Sequence, residues 1–90
     1  MQFLEESNRL YLEEDGKAYA EITWSNAGET VMIVDHTFVD DAHRGQGLAQ
    51  QLVEAVADKA RADGKKIMPL CPFAKKEFET KSMYEDVWKK

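Results

Sequence analysis

Residues 39–56, "VDDAHRGQGLAQQLVEAV", constrain the fold more than any other stretch of the chain. A β-like run ends there, a basic pair and two glycines intervene, and a helical pattern begins. From Leu48 onward, apolar residues at Ala49, Leu52, Val53, Val56 and Ala60 form one stripe, while Gln50, Gln51, Glu54, Asp58 and Arg61 fall largely outside it. Gly64 stands where such a helix ends. The next run, "KKIMPLCPF", reads as a short strand that Pro69 and Pro72 make irregular or place at an edge. Strand, helix and strand over residues 31–70 therefore make a βαβ unit, which demands parallel strands and a right-handed crossover.

Ahead of that unit the chain alternates. "RLYLEE" puts Leu10 and Leu12 on one face, and Asp15-Gly16 supplies a tight hairpin turn. In "KAYAEITWS", Ala18, Ala20, Ile22 and Trp24 share a face opposite Tyr19, Glu21, Thr23 and Ser25. "NAGE" marks a second turn, and "TVMIVDHTFV" is the most β-like segment of the chain. The result is an antiparallel meander of three strands, extendable by residues near Phe3. The last segment, "AKKEFETKSMYEDVWKK", supplies one or two short helices docked through Phe73, Phe78, Met83, Tyr84, Val87 and Trp88; Trp24, Met68 and Leu70 are assigned to the core. The fold class is α+β, with a mixed sheet in which the meander precedes the parallel crossover and the long helix covers one face. A single domain over residues 1–90 is expected.

Bulk properties narrow the function. With 43% hydrophobic and 10% aromatic residues, the 90-residue chain can build one core. It has no apolar run of the roughly 20 residues that a membrane helix needs. "MQFLEESNRL" lacks the basic and apolar regions of a secretory signal, so a cytoplasmic location is expected. The single cysteine, Cys71, excludes an internal disulfide framework, and His36 and His43 are too few and too poorly spaced for a zinc site. A net charge of −5 argues against nucleic acid and suits a cationic acceptor such as an amine, although acidic proteins often gain no more than solubility from it.

A strand handing over to a helix start is a natural anion site, because the first helical turn carries free N–H groups and the positive end of the helix dipole. Gly45 and Gly47 let an anion approach those donors, Arg44 adds a fixed positive charge, and His43 contributes when protonated. A plain structural loop is the competing reading. "GQGLAQ" lacks the third glycine of a dinucleotide fingerprint and has no lysine–serine/threonine pair of a P-loop.

"R-G-Q-G-L-A" resembles the R/Q-x-x-G-x-G/A signature of the GNAT superfamily of N-acetyltransferases, with Arg44, Gly47 and Ala49 at its fixed positions. Residues 36–78 resemble the compact, YjdJ-like branch of that superfamily, with an H-T-x-V start, an R-G-x-G-x-A loop, a helix and a P-x-C-P-[FY] end. The resemblance runs over about residues 9–88. It implies acetyl-coenzyme A as cofactor, its pyrophosphate held by Gly45, Gln46, Gly47, Leu48 and Ala49 beside Arg44. It further implies that Phe38 and Val39 pair through their backbone with the pantetheine arm, and that Cys71, Pro72 and Phe73 lie near the thioester. The basic rim needed for an anionic ligand falls to Arg44, His43, Lys75 and Lys76.

Acetyl transfer needs a neutral amine, a polarised carbonyl and an acid for the departing thiolate. His36 on the central strand is the candidate base, with a buried structural histidine as the alternative. Cys71 could protonate the leaving thiolate, accept the acetyl group, or simply fill space. The tyrosine that many relatives use as acid has no counterpart near Phe73; the one tyrosine further on is Tyr84. Asp40 and Asp41 are as suited to loop solvation as to a cationic acceptor. Ordinary members are longer and wall the acceptor site with further elements. The expectation is therefore an N-acetyltransferase with an open acceptor surface, suited to a protein lysine or N-terminus or a small amine, and acting as a monomer or weak dimer. The alternative is a non-catalytic acyl-CoA-binding module that works with a partner protein.

Overall fold

The alternation of small and large apolar residues along residues 17–27 becomes the second of three long antiparallel strands. In the computed structural model, which describes residues 3–90, β1 (Leu4–Glu5), β2 (Arg9–Glu14), β3 (Lys17–Ala27), β4 (Val31–Val39) and β5 (Lys66–Pro69) form one sheet in that order. Residues 1–2, included in the expected domain and in the opening decapeptide read above, lie outside the described residues. β1 to β4 pair antiparallel and β5 pairs parallel to β4, joined by α1 (Leu48–Asp63). The expected mixed sheet is what the chain forms. Asp15 and Gly16 both take positive φ, 53° and 78°, the backbone twist that lets a two-residue turn join β2 to β3.

Leu10, Leu12, Ala20, Ile22, Trp24, Met32, Val34 and Ile67 point from the sheet into a common core. Against them α1 buries Leu48, Leu52, Val53, Val56, Ala57 and Ala60. Burial of the leucines and valines among them, worth roughly 1.5–3 kcal/mol each, is what fixes the helix to the sheet. A second helix, α2 (Pro72–Thr80), and a 3₁₀ segment at Ser82–Val87 close the same core with Ala74, Phe78, Tyr84 and Val87. Phe78 stacks on Tyr84 with ring centroids 4.9 Å apart. The other face of the sheet bears Arg9, Tyr11, Glu21, Thr23, His36 and Phe38, and among the described residues no helix lies over it.

Several expectations are corrected. Met68 is 37% and Leu70 60% exposed, not core. Ile67 and Pro69 take the inward positions of β5, opposite Met32 and Val34, so Met68 beside Ile33 turns outward. Met83 is exposed too, and serves through its carbonyl, which accepts from the Arg61 guanidinium. On α1, Leu48 occupies the buried place and Ala49 is only half-buried. β3 runs on through Asn26 and Ala27, shortening the second turn. Trp88 makes a parallel bridge to Ile67, and Lys89 N–H donates to the Ile67 carbonyl at 2.8 Å, an edge contact that periodicity did not indicate.

The pairing of β3 with β4 is irregular at one place. Thr23 pairs with His36 and Trp24 with Val34, so β4 carries an extra residue, Asp35, at a β-bulge. Asp35 is held on the open face by Thr23 Oγ1 at 2.7 Å and Ser25 Oγ at 3.3 Å. Below the bulge Met32 and Val34 face the helices; above it, Thr37 and Val39 do, opposite Ile22 and Ala20.

Candidate functional site

β5 accompanies β4 only from Val31 to Val34. There the Val34 carbonyl accepts both the Leu70 N–H at 2.9 Å and the Cys71 N–H at 3.1 Å, and the chain turns away into α2, with Cys71 preceding the helix and Pro72 in its first turn. Pro suits that place because its missing N–H would find no helical partner. Residues 35–39 of β4 continue without a strand beside them on that side, among the described residues. The sheet is thus open between the upper half of β4 and the start of α2.

At the top of this opening Asp40 accepts the Ala42 N–H through Oδ2 at 3.2 Å and starts a short 3₁₀ turn, Asp41–His43. Gly45 and Gly47 then take left-handed backbone angles, φ 86° and 72°, that bring the chain to the first turn of α1. Gly47 offers no side chain to cap that helix, and the first N–H to find a helical carbonyl is that of Gln51, at 3.1 Å from Gly47 O. The N–H groups of Leu48, Ala49 and Gln50 have no acceptor among the described residues. Such orphaned donors carry the positive end of the helix dipole and bind anions well. A Cβ built on Gly47 would meet nothing closer than 3.9 Å, so glycine is required there by its backbone angle rather than by crowding.

These residues border a cleft of about 310 Å³ lined by Thr37, Val39, His43, Arg44, Gly45, Gly47, Leu48, Ala49, Gln50 and Phe73. The structure therefore brings together Val39, Arg44, Gly45, Gly47, Leu48, Ala49 and Phe73 of the residues singled out from the sequence, with Gln46 in the same loop. Cys71 borders Thr37, Pro72 and Lys75 lie beside it on the first turns of α2, and Phe38 turns to the open sheet face. Sequence reasoning missed Thr37 and Gln50. Gln50 lies outside the helical stripe, yet a first-turn residue borders the helix mouth whichever face it occupies.

The rim is basic but partly neutralised. Arg44 Nε lies 3.0 Å from Asp41 Oδ1, both side chains mostly exposed, so the pair is weak and available to a stronger anion. His43 stacks on Tyr19 at 4.1 Å, and its Nδ1 is 3.6 Å from Asp40 Oδ2, too far for a hydrogen bond, leaving that nitrogen buried and unpartnered. Lys75 and Lys76 are exposed with no carboxylate within ion-pair distance among the described residues. Tyr84 is not at the cleft: it is 1% exposed in the core, where burial first, and the Glu54 carboxylate after it, raise the pKa of its phenol.

His36 and Cys71 flank β4 from opposite sides. His36 stands on the open face with its side chain 54% exposed and Nε2 3.6 Å from Glu21 Oε2, and Glu21 also holds Arg9 Nε at 2.8 Å. Cys71 is 7% exposed on the helix side, and its thiol donates to Thr37 Oγ1 at 3.4 Å.

The model of the family described as GCN5-related N-acetyl-transferase matches residues 9–87. Among solved structures, the chain is similar to a GCN5-like protein from Staphylococcus aureus, with a TM-score of 0.82 and 34% identity over 98% of this chain and 87% of that one. It is similar also to a ribosomal-protein-alanine N-acetyltransferase from Brucella melitensis (TM-score 0.63, 25% identity, 91% of this chain and 62% of that one). The fold recurs in N-acetylglutamate synthase from Neisseria gonorrhoeae, solved with coenzyme A and N-acetyl-glutamate (TM-score 0.64, 23% identity, 81% of this chain but 18% of that one).

Proposed function

The chain belongs to the GCN5-related N-acetyltransferase family, and on that premise we propose that it transfers an acetyl group from acetyl-coenzyme A to an amine. The observation that carries the reading is the row of unpartnered amides at Leu48, Ala49 and Gln50, lining a cleft beside the unaccompanied upper half of β4. Free amides at a helix mouth fit a pyrophosphate, and an unpaired strand edge fits an amide-bearing arm laid alongside it as an added strand. Gly45 to Ala49 would hold the diphosphate with Arg44, His43, Lys75 and Lys76 around it. Phe38 and Val39 would offer backbone groups to the arm, with Cys71, Pro72 and Phe73 at its reactive end.

When bound, acetyl-coenzyme A supplies an acyl group activated as a thioester. The chain's own residues supply the rest. The acceptor amine reaches the opening in the sheet from the uncovered face, where His36 takes its proton. Cys71, on the helix side, gives its proton to the departing sulfur. The acceptor is an exposed lysine or N-terminus of a protein, or a small amine, since the uncovered face sets no deep wall around it. The protein works in the cytoplasm as a monomer or weak dimer, and residues 1–90 serve as one minimal domain. No described helix is long and apolar enough to cross a membrane.

The test is to incubate the protein with acetyl-coenzyme A and panels of amines and basic peptides, following free-thiol release and intact mass. Thiol release with acetylation of an amine is expected. Tight binding without turnover on any acceptor would make the chain an acyl-CoA-binding module. An acetyl group that appears on Cys71 and then chases to an amine would make the route covalent.

A further inference from the structure

We infer that Thr37 is a positioning residue whose hydroxyl holds the Cys71 sulfur in both its protonated and its deprotonated state. The inference rests on the reading of Cys71 as the proton donor, but the observations behind it do not. Thr37 faces the cleft only because the bulge at Asp35 reverses the alternation of β4; in a regular strand His36 would occupy that side. Its Oγ1 lies 3.4 Å from Cys71 Sγ, and that is the sole side-chain hydrogen bond the thiol makes among the described residues. Val34 O, which accepts the Cys71 N–H at 3.1 Å, fixes the backbone from which the sulfur projects. Backbone and hydroxyl together therefore set where the thiol points.

A hydroxyl is suited to this because it both accepts and donates. At rest it accepts the S–H proton. During transfer the C–N bond forms as the C–S bond of the thioester breaks, the departing sulfur takes the Cys71 proton, and the proton of the attacking amine leaves to His36. Cys71 is then an anion in a site where it is 7% exposed, and water reaches it poorly. The Thr37 hydroxyl rotates to donate to that anion until the thiol is restored by a proton from solvent, while the protonated His36 on the opposite face releases its own proton to bulk water. A charge-assisted bond of this kind is stronger than the neutral one it replaces, so the step that creates the anion gains from it.

The experiment uses Thr37→Val, which keeps the shape and removes the hydroxyl, and Thr37→Ser, which keeps the hydroxyl. Cys71 is the one cysteine of the chain, so alkylation of the ligand-free protein by iodoacetamide reads this thiol alone by intact mass. Alkylation should slow about tenfold in Thr37→Val, the scale of one hydrogen bond to a charged group, and return to within about twofold in Thr37→Ser. In acetyl transfer, kcat should fall by a similar factor with the KM for acetyl-coenzyme A unchanged. Alkylation of folded Thr37→Val at the wild-type rate or faster overturns the inference, as does failure of Thr37→Ser to restore it. Should the valine variant not fold, Thr37→Ala replaces it in the same comparison. If the two variants alkylate as expected yet wild type transfers no acetyl group, the transferase reading fails and the Thr37–Cys71 pairing stands.

Discussion

On the helix side of β4, Thr37 is half-buried, borders the cleft and meets Cys71; one residue earlier, His36 is half-exposed and meets Glu21 and Phe38 on the open face. The two sides differ in what surrounds them rather than in what the strand is made of. The helix side is closed by α1 and α2, so a group there sits among few waters and its hydrogen bonds are strong. The open side is exposed, and its carboxylates are held by neighbours: Glu21 pairs with Arg9 and lies 3.6 Å from His36, and Asp35 accepts from Thr23 and Ser25. On the proposed function, a strand covered on one face and bare on the other would keep an anionic ligand apart from a cationic acceptor, and the opening above Val34 is where they would meet.

The contrast breaks first on stability. Leu52 is fully buried on the helix side, so Leu52→Ala should cost about 2–5 kcal/mol in urea unfolding. Phe38→Ala, at a side chain 39% exposed on the bare face, should cost under about 1 kcal/mol. Equal losses would mean that the second face is covered in solution. Next comes catalysis across the strand. His36→Ala and Cys71→Ala should each lower kcat about a hundredfold while sparing the KM for acetyl-coenzyme A, as loss of a general base or acid does. A side chain whose removal leaves the rate intact has only a packing role.

Gly47→Val should cost about 1–2 kcal/mol of backbone strain and abolish thermal stabilisation by coenzyme A. Gly28→Val supplies the control, because Gly28 has nearly the same φ, 71°, and equally open surroundings, but sits in the β3–β4 turn. It should be strained alike and keep the ligand response. Matching losses of that response would detach the cleft from the diphosphate.

The smallest effect lies away from both faces. The Arg61 guanidinium holds the Asp86 carboxyl below the usual carboxylate range. A depressed folded-state pKa adds stability above the unfolded-state value and forfeits it as pH falls through the folded one. The stability difference between wild type and Asp86→Asn should therefore be present near neutrality and shrink below the ordinary carboxylate range. A difference that does not change with acidity would leave the ion pair without consequence.

Much of this protein is written locally in its chain. Asp15-Gly16 forms its hairpin turn, the stripe from Leu52 to Ala60 buries as one face of a helix, and the two left-handed glycines before Leu48 lead into that helix without a side-chain cap. Those features depend on neighbours a few residues apart, where backbone sterics and side-chain period act directly. Hydropathy misjudged Met68, Leu70 and Met83, because an apolar side chain is buried only where the alternation of its strand and the neighbouring elements leave a place for it.

The faces that His36 and Thr37 occupy were decided by tertiary structure alone. Along the isolated sequence, residue 36 continues the inward row of Met32 and Val34. The bulge at Asp35 exists only in relation to Thr23 and Trp24 on the partner strand, and an added residue there exchanges the faces of everything beyond it. Strand period is a local property, but register belongs to the pair of strands.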